Sequence, residues 1–294
     1  MPPRNNNVTN IQYPPMKVLP REKEAIDRAA VYADPVTFHC FWKGPIKLNE
    51  KHLFSIKSCY HFNVKGRANR KIILWVQDVP NCDTMNEIAK YAEIRTFNEP
   101  EEKQDTFLEG TEIVYFAHKI PEYVNFYRLL MLYKYGGCWF DIDIAFLQPF
   151  DPIFAAFPQD ICLYRWEDQK YPNNAVVISL EPRHPKMKEN IEYIIKRNKG
   201  WGFQRARMTF DQPLHMLILP CAWFDPAWDF KNDPRGKKFD EFFANTASRV
   251  SLANFFPGSF CYHWHNRFRR GVQPTSPFRQ LVNDLDSQMA GAQH

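Results

Sequence analysis

Two aspartates separated by one residue, inside an otherwise apolar run, constrain this chain more than any other feature. The run is YKYGGCWFDIDIAFLQPF, residues 133–150. A carboxylate buried among apolar side chains is costly unless it is paired or coordinates a cation, so Asp141 and Asp143 call for positive partners. Strict alternation predicts one strand over 138–147. Cys138, Phe140, Ile142, Ile144 and Phe146 would lie on one face, and Trp139, Asp141, Asp143 and Ala145 on the other. Immediately upstream, PEYVNFYRLLMLYKYGG (121–137) reads as a helix, with Pro121 in its first turn and Gly136-Gly137 as its stop. Asn125 and Arg128 are three residues apart and share a helix face. The helix therefore delivers Arg128 to the start of the acidic strand.

Carboxylates fixed on one side of a strand suit a hard divalent cation. Mg²⁺ and Mn²⁺ bind one or two carboxylates together with substrate phosphates and water. Such a cation neutralises charge on a departing phosphate, and a neighbouring Arg would suit a nucleotide diphosphate leaving group. The tripeptide alone decides little. Asp284-Leu285-Asp286 repeats it in a polar segment, where a solvated helix face is expected.

The rest of the chain sets the frame. PVTFHCFW (35–42), KIILWVQD (71–78) and EIRTF (93–97) read as strands. Between them, 48–63 and 84–92 read as helices, and 21–33 as a helix before the first strand. This alternation predicts an α/β fold, a mostly parallel sheet covered on both faces. NNAVVISLEPRHP (173–185) reads as a strand and turn. A 45% hydrophobic and 16% aromatic composition over 294 residues supports a sizeable core. The expected organisation is an N-terminal arm and helix (1–34), one catalytic domain (35–270) and a C-terminal tail (271–294).

No run of about 18 apolar residues is present, so no membrane span is expected. The polar, Pro-rich start lacks the pattern of a secretory signal, and the expected location is cytoplasmic, or the Golgi lumen if an anchor has been removed. Seven unclustered cysteines fit reduced core thiols rather than a disulfide framework. The net charge of +5 is modest, and the basic cluster NRFRRG (266–271), without regular aromatic interleaving, is weak evidence for a nucleic-acid partner, so none is expected. An anionic substrate accounts for it as well.

The segment VNFYRLLMLYKYGGCWFDIDIAFLQP resembles the DxD region of GT-A fold glycosyltransferases. In particular it is similar to the group of yeast-type α-mannosyltransferases and sugar-transferring toxins (glycosyltransferase family 32-like). Arg128 precedes Asp141 by 13 residues and Gly136-Gly137 fall in place, as that pattern requires. The sequence departs from it at Val124-Asn125, where the family has Ser-Asp, and at Phe140, which is preceded by Trp139. The resemblance implies a Rossmann-like nucleotide-sugar-binding domain and transfer with retention, although no nucleophile is visible in the sequence.

It also implies roles. Asp143 would ligate Mn²⁺ or Mg²⁺, and Asp141 would bridge ribose and sugar. Arg128 and Asn125 would hold the sugar. Asn125, being neutral, points to a donor other than glucose, such as a pentose or galactose. TFHCFWKGPI (37–46) is similar to the family's opening strand, which would stack Trp42 on the base. FCYHWHNRF (260–268) is similar to a C-terminal segment that supplies a metal-binding His, here His263 first and His265 second. TFDQPLHML (209–217) is similar to an Asp-Gln pair of galactosyltransferases. By that likeness Asp211 would bind sugar hydroxyls, and Gln212 would sit beside the anomeric carbon. Asn174 is a further candidate sugar or acceptor contact.

The expected reaction moves a sugar from a nucleotide-sugar donor, with a UDP-sugar favoured, to a hydroxyl of a glycan or glycoconjugate acceptor. The alternatives are a haloacid-dehalogenase-type phosphotransferase and a non-catalytic nucleotide-sugar-binding protein on the same fold.

Overall fold

In the computed structural model of the chain, residues 26–113, 120–166, 173–198, 216–230 and 238–291 are described. Among the described residues, nine strands fall into two sheets. They are β1 (Val36–Lys43), β2 (Arg70–Gln77), β3 (Glu93–Thr96), β4 (Gly137–Phe140), β5 (Ile144–Phe146), β6 (Ile161–Tyr164), β7 (Asn173–Ser179), β8 (Met216–Leu219) and β9 (Cys261–His263). The main sheet has seven strands in the order β3-β2-β1-β4-β7-β6-β8. Only β7 runs against the others, pairing antiparallel with both β4 and β6, while β1, β2, β3 and β4 are parallel. This is the expected α/β class. β5 and β9 form a separate antiparallel pair.

The strands of the main sheet bury both faces. Phe38, Cys40, Ile72, Leu74, Cys138 and Phe140 enter one apolar cluster. Ile73, Trp75, Trp139 and Val177 enter another, beneath the helices Ile120–Tyr135 and Pro185–Asn198. A third cluster joins Phe242, Tyr262 and Trp264 to the helix Pro277–Gly291 through Phe278, Leu281 and Leu285. Residues 277–291 therefore pack on the body of the protein, and Asp284 and Asp286 flank a buried Leu285 on a helix whose other face is solvated.

The Gly136-Gly137 stop is set by close approach as well as by backbone conformation. Both residues have positive φ, 67° and 105°. A Cβ on Gly136 would lie 2.3 Å from the Leu180 carbonyl oxygen, and one on Gly137 2.1 Å from that of Thr37, distances that only a missing side chain permits. The fully buried His39 of β1 fastens this corner. Its Nε2 donates to the Gly136 carbonyl (3.1 Å), and its Nδ1 accepts from the Trp75 indole (3.2 Å). Burial pulls the His39 pKa down to about 4, so the ring is neutral and in the tautomer these two bonds require.

Two expectations are corrected. Residues 26–33 form a turn rather than the end of a helix. They are held instead by Asp151, which accepts from the Tyr32 amide (3.1 Å) and from Arg70 Nη2 (2.8 Å). The stretch 138–147 is also not one strand. The ladder to β7 ends with Phe140 opposite Val176 and a last bond from the Asp141 amide to Ala175 (2.7 Å). After a turn at 142–143 the chain resumes as β5 with a new partner, β9. The inward set survives the break, since Cys138, Phe140, Ile142, Ile144 and Phe146 all reach the first cluster. The two carboxylates do not share one strand face.

The Asp151–Arg70 pair is nearly sealed, with side chains 3% and 0% exposed. Burial alone would raise the Asp151 pKa, but the hydrogen bonds and charge of Arg70, with Arg67 alongside, hold it below the usual carboxylate range. Asp151→Asn is expected to cost about 3 kcal/mol at neutral pH, because it strands the Arg70 charge. A depressed Asp pKa stabilises above the unfolded value of about 4 and ceases to do so as pH falls through the folded value. The wild-type advantage in urea midpoint should therefore be full above about pH 5 and close below about pH 4.

Candidate active site

The site lies where β4 leaves the main sheet. Asp141 follows the last residue of β4, at the carboxyl ends of the parallel strands β1, β2 and β4, the end where open α/β sheets bind their ligands. Its Oδ1 accepts from Arg128 Nη2 (2.7 Å) and from the Trp139 indole nitrogen (2.9 Å). The Arg128 side chain is 2% exposed, whereas that of Asp141 is 28% exposed. The guanidinium is thus the buried partner, and the carboxylate keeps an exposed edge. Burial raises the Asp141 pKa and the nearby Asp143 adds to this, with Arg128 opposing both. Asn125 lies one turn before Arg128 on the same helix and is buried.

Asp143 is held by the second sheet. Pairing of β5 with β9 sets Ile144 opposite His263, and the Trp264 amide extends the ladder to the Asp143 carbonyl (3.1 Å). His263 Nε2 then stands 3.1 Å from Asp143 Oδ2, and the Asn266 amide donates to the same oxygen (2.6 Å). His265 and Asn266 both have positive φ, 52° and 58°, a local cost that turns the Asn266 amide onto Asp143. Burial would raise the Asp143 pKa, but the charge and hydrogen bond of His263 prevail and lower it. Burial likewise opposes a charge on His263, yet Asp143 and Asp225 lift its pKa to about 10. In the protein alone, an imidazolium thus serves as the cation that Asp143 needs.

His265, the second choice from sequence, turns to a different carboxylate. Its Nε2 lies 2.9 Å from Asp225 Oδ2. Burial and the adjacent His263 lower its pKa. Asp225, which sequence reasoning missed, is fully buried, accepts from the Trp166 indole (2.6 Å) and lies 3.7 Å from His263 Nδ1. Its only local signal is an acid closing the apolar run CAWF, with no spacing to mark it.

Trp42, half-buried at the end of β1, donates to the Ile46 carbonyl (2.9 Å) and packs against His52 (4.3 Å) and Phe268 (4.9 Å). His52 feels the Asp143 carboxylate, so this aromatic group adjoins the acidic corner. Arg267 is engaged structurally, donating to the His265 carbonyl (2.7 Å) and lying 3.4 Å from Asp240. Asp211 and Gln212 lie outside the described residues, as does the Asn174 side chain.

The donor set fits a divalent cation. It offers hard carboxylate oxygens and an imidazole nitrogen. The Asp143 side chain is 3% exposed, and its Oδ1 has no hydrogen-bond partner among the described residues.

Residues 50–160, which include Arg128, Asp141 and Asp143, match a family model described as a glycosyltransferase sugar-binding region containing a DXD motif. Among solved structures, the chain is similar to the glycosyltransferase GlyE of Streptococcus pneumoniae TIGR4. Identity is 9% and the TM-score 0.51, over 88% of this chain and 64% of that one. The fold is of the GT-A type, and the matched segment carries the DXD motif. The chain thus spans less than two thirds of the GlyE chain it matches. Lesser likenesses include an active-site mutant of LgtC (12% identity, 87% of this chain and 96% of that one, TM-score 0.45). Another is mouse xyloside xylosyltransferase 1 (13% identity, 81% of this chain and all of that one, TM-score 0.44). No curated protein sequence matches the chain.

The two acids of the DXD motif have separate keepers: Arg128 for Asp141, and His263 with the Asn266 amide for Asp143. Arg128→Met is expected to lower stability at neutral pH by about 2–3 kcal/mol, less than for a fully sealed pair because Asp141 is partly open. Without Arg128 the Asp141 pKa rises further. A raised carboxyl pKa favours the folded state at low pH, and that advantage is lost as pH climbs through it. The urea midpoint of the variant should therefore fall more steeply than that of the wild type as pH rises above about 4.

Proposed function

We propose that the chain transfers a sugar from a nucleoside diphosphate sugar, with a UDP-sugar as the first donor to try, to a hydroxyl of a glycan or glycoconjugate acceptor, with retention and with Mn²⁺ or Mg²⁺ as cofactor. The observation that carries this reading is the Asp143 carboxylate. It lies at the carboxyl end of the parallel strands, braced on Oδ2 by His263 and the Asn266 amide, with no hydrogen-bond partner on Oδ1 among the described residues.

Asp143 and His263 would hold the cation. When bound, the cation neutralises charge on the diphosphate and so makes it a competent leaving group. The chain's own residues set the geometry. Arg128 and the Trp139 indole fix one oxygen of Asp141, which leaves the other for the ribose and sugar hydroxyls. Asn125, one turn along the same helix, offers both a donor and an acceptor to the sugar. Trp42 presents a half-buried indole to the base. Asp211 is proposed to bind sugar hydroxyls, and Gln212 to face the anomeric carbon. Positive charge aimed at the diphosphate before the reaction begins is the main electrostatic contribution.

The test is a calorimetric titration of UDP- and GDP-sugars, with and without Mn²⁺, against the wild type and Asp143→Ala. Binding is expected only with metal, and roughly 100-fold or more weaker in the variant, about 2.7 kcal/mol. No binding with metal present, or equal binding in the variant, would sink the reading. Clear preference for UDP-glucose would overturn the narrower expectation drawn from Asn125.

A further inference from the structure

We propose that Asp225 is a positioning residue, holding the His263 imidazole so that Nε2 faces the metal subsite at Asp143. This rests on the metal reading given above and adds a residue to it.

The His263 ring spans two buried carboxylates. Nε2 lies 3.1 Å from Asp143 Oδ2, and Nδ1 lies 3.7 Å from Asp225 Oδ2. A histidine that binds a metal through one ring nitrogen is commonly fixed through the other by a carboxylate, which sets its tautomer, orientation and basicity. Asp225 is placed for that task and is itself immobilised. The Trp166 indole donates to its Oδ2 (2.6 Å), and His265 Nε2 meets the same oxygen (2.9 Å). His265 also stacks on His263, with ring centroids 3.9 Å apart and planes at 23°. The imidazole is thus packed on one face and anchored at one edge.

Two other roles for Asp225 fit less well. Asp225, His263 and His265 have ligand atoms within 4.8 Å of one another, which could suggest a metal site of their own. Near-parallel stacked rings, however, send their in-plane lone pairs side by side rather than toward one point. A purely structural acceptor for Trp166 would need no charge, and burying one without need is expensive. Asp225 Oδ1 is also buried with no hydrogen-bond partner among the described residues, a poor outcome for a group whose purpose is satisfaction of the core. The remaining neighbour of His263 Nδ1 is the Tyr164 hydroxyl at 3.3 Å, and the test separates it from Asp225.

Mn²⁺ binding is followed by electron paramagnetic resonance on the purified chain, with UDP and, separately, GDP present. The nitrogen modulation from a coordinated imidazole is recorded at saturating Mn²⁺. Asp225→Asn is expected to weaken Mn²⁺ binding about 10–100-fold and to lose the modulation, as His263→Ala does. Trp166→Phe and Tyr164→Phe should retain it. Asp225→Glu, which keeps the charge but displaces it, gives the same readout if the amide variant does not fold by circular dichroism. Unchanged affinity and modulation in the Asp225 variants would overturn the proposal. So would loss of modulation in Tyr164→Phe with retention in Asp225→Asn, or equal loss in Trp166→Phe. Wild-type protein that binds Mn²⁺ without nitrogen modulation also overturns it, together with the ligand role of His263, and leaves only Asp143 as the metal's protein ligand. Wild-type protein that takes up no Mn²⁺ with either nucleotide removes both.

Discussion

The contact between His263 and Asp143 joins two parts of the molecule that are 120 residues apart in sequence. Neither charge could be buried at this depth alone, since an isolated ion taken from water costs several kcal/mol that only a well-placed counter-charge offsets. The pairing of β5 with β9 exists around this contact. It sets Ile144 against His263, and the ladder continues through the Trp264 amide to Asp143. Packing of residues 261–264 against β5 therefore also completes the acidic corner. The third apolar cluster, with Tyr262, Trp264 and Phe278, provides the burial that drives it.

The other half of the corner depends on a steric constraint. Gly136 and Gly137 pass so close to the Leu180 and Thr37 carbonyls that no side chain fits, and His39 secures the turn from below. That sharp exit lets a helix ending at Tyr135 be followed at once by β4, so that Arg128 and Asp141 meet across the turn. The two acids end up with different environments. Asp141 has its pKa raised by burial despite Arg128, while Asp143 has its pKa lowered by His263 against the effect of burial. Neighbouring carboxylates pushed apart in this way can serve different purposes at one pH. Here one is suited to hydrogen bonding at an open edge and the other to holding a cation.

Much of this was legible in the chain itself. The helix before the double glycine, the parallel α/β order and the inward-facing apolar set from Cys138 to Phe146 are all local periodicities, and the Arg128–Asp141 spacing came from the resemblance. The same alternation suggested a single strand where there are two, because period two describes how side chains alternate and carries nothing about which neighbour a strand pairs with. The change of partner from β7 to β9 between Phe140 and Ile144 is a long-range event.

The sequence by itself determined the chemical identity of the corner: two acids after a double glycine, an arginine one helix upstream, and histidines in a late aromatic segment. Tertiary structure alone decided which histidine meets Asp143, that His265 turns away to Asp225, and that Asp225 belongs to the site at all. The reason is physical. Local patterns encode which face of an element is apolar, whereas the pairing of buried charges is settled by which carboxylates and imidazoles the packed sheets bring within about 3–4 Å of one another, where attraction in a low dielectric is strong enough to choose between partners.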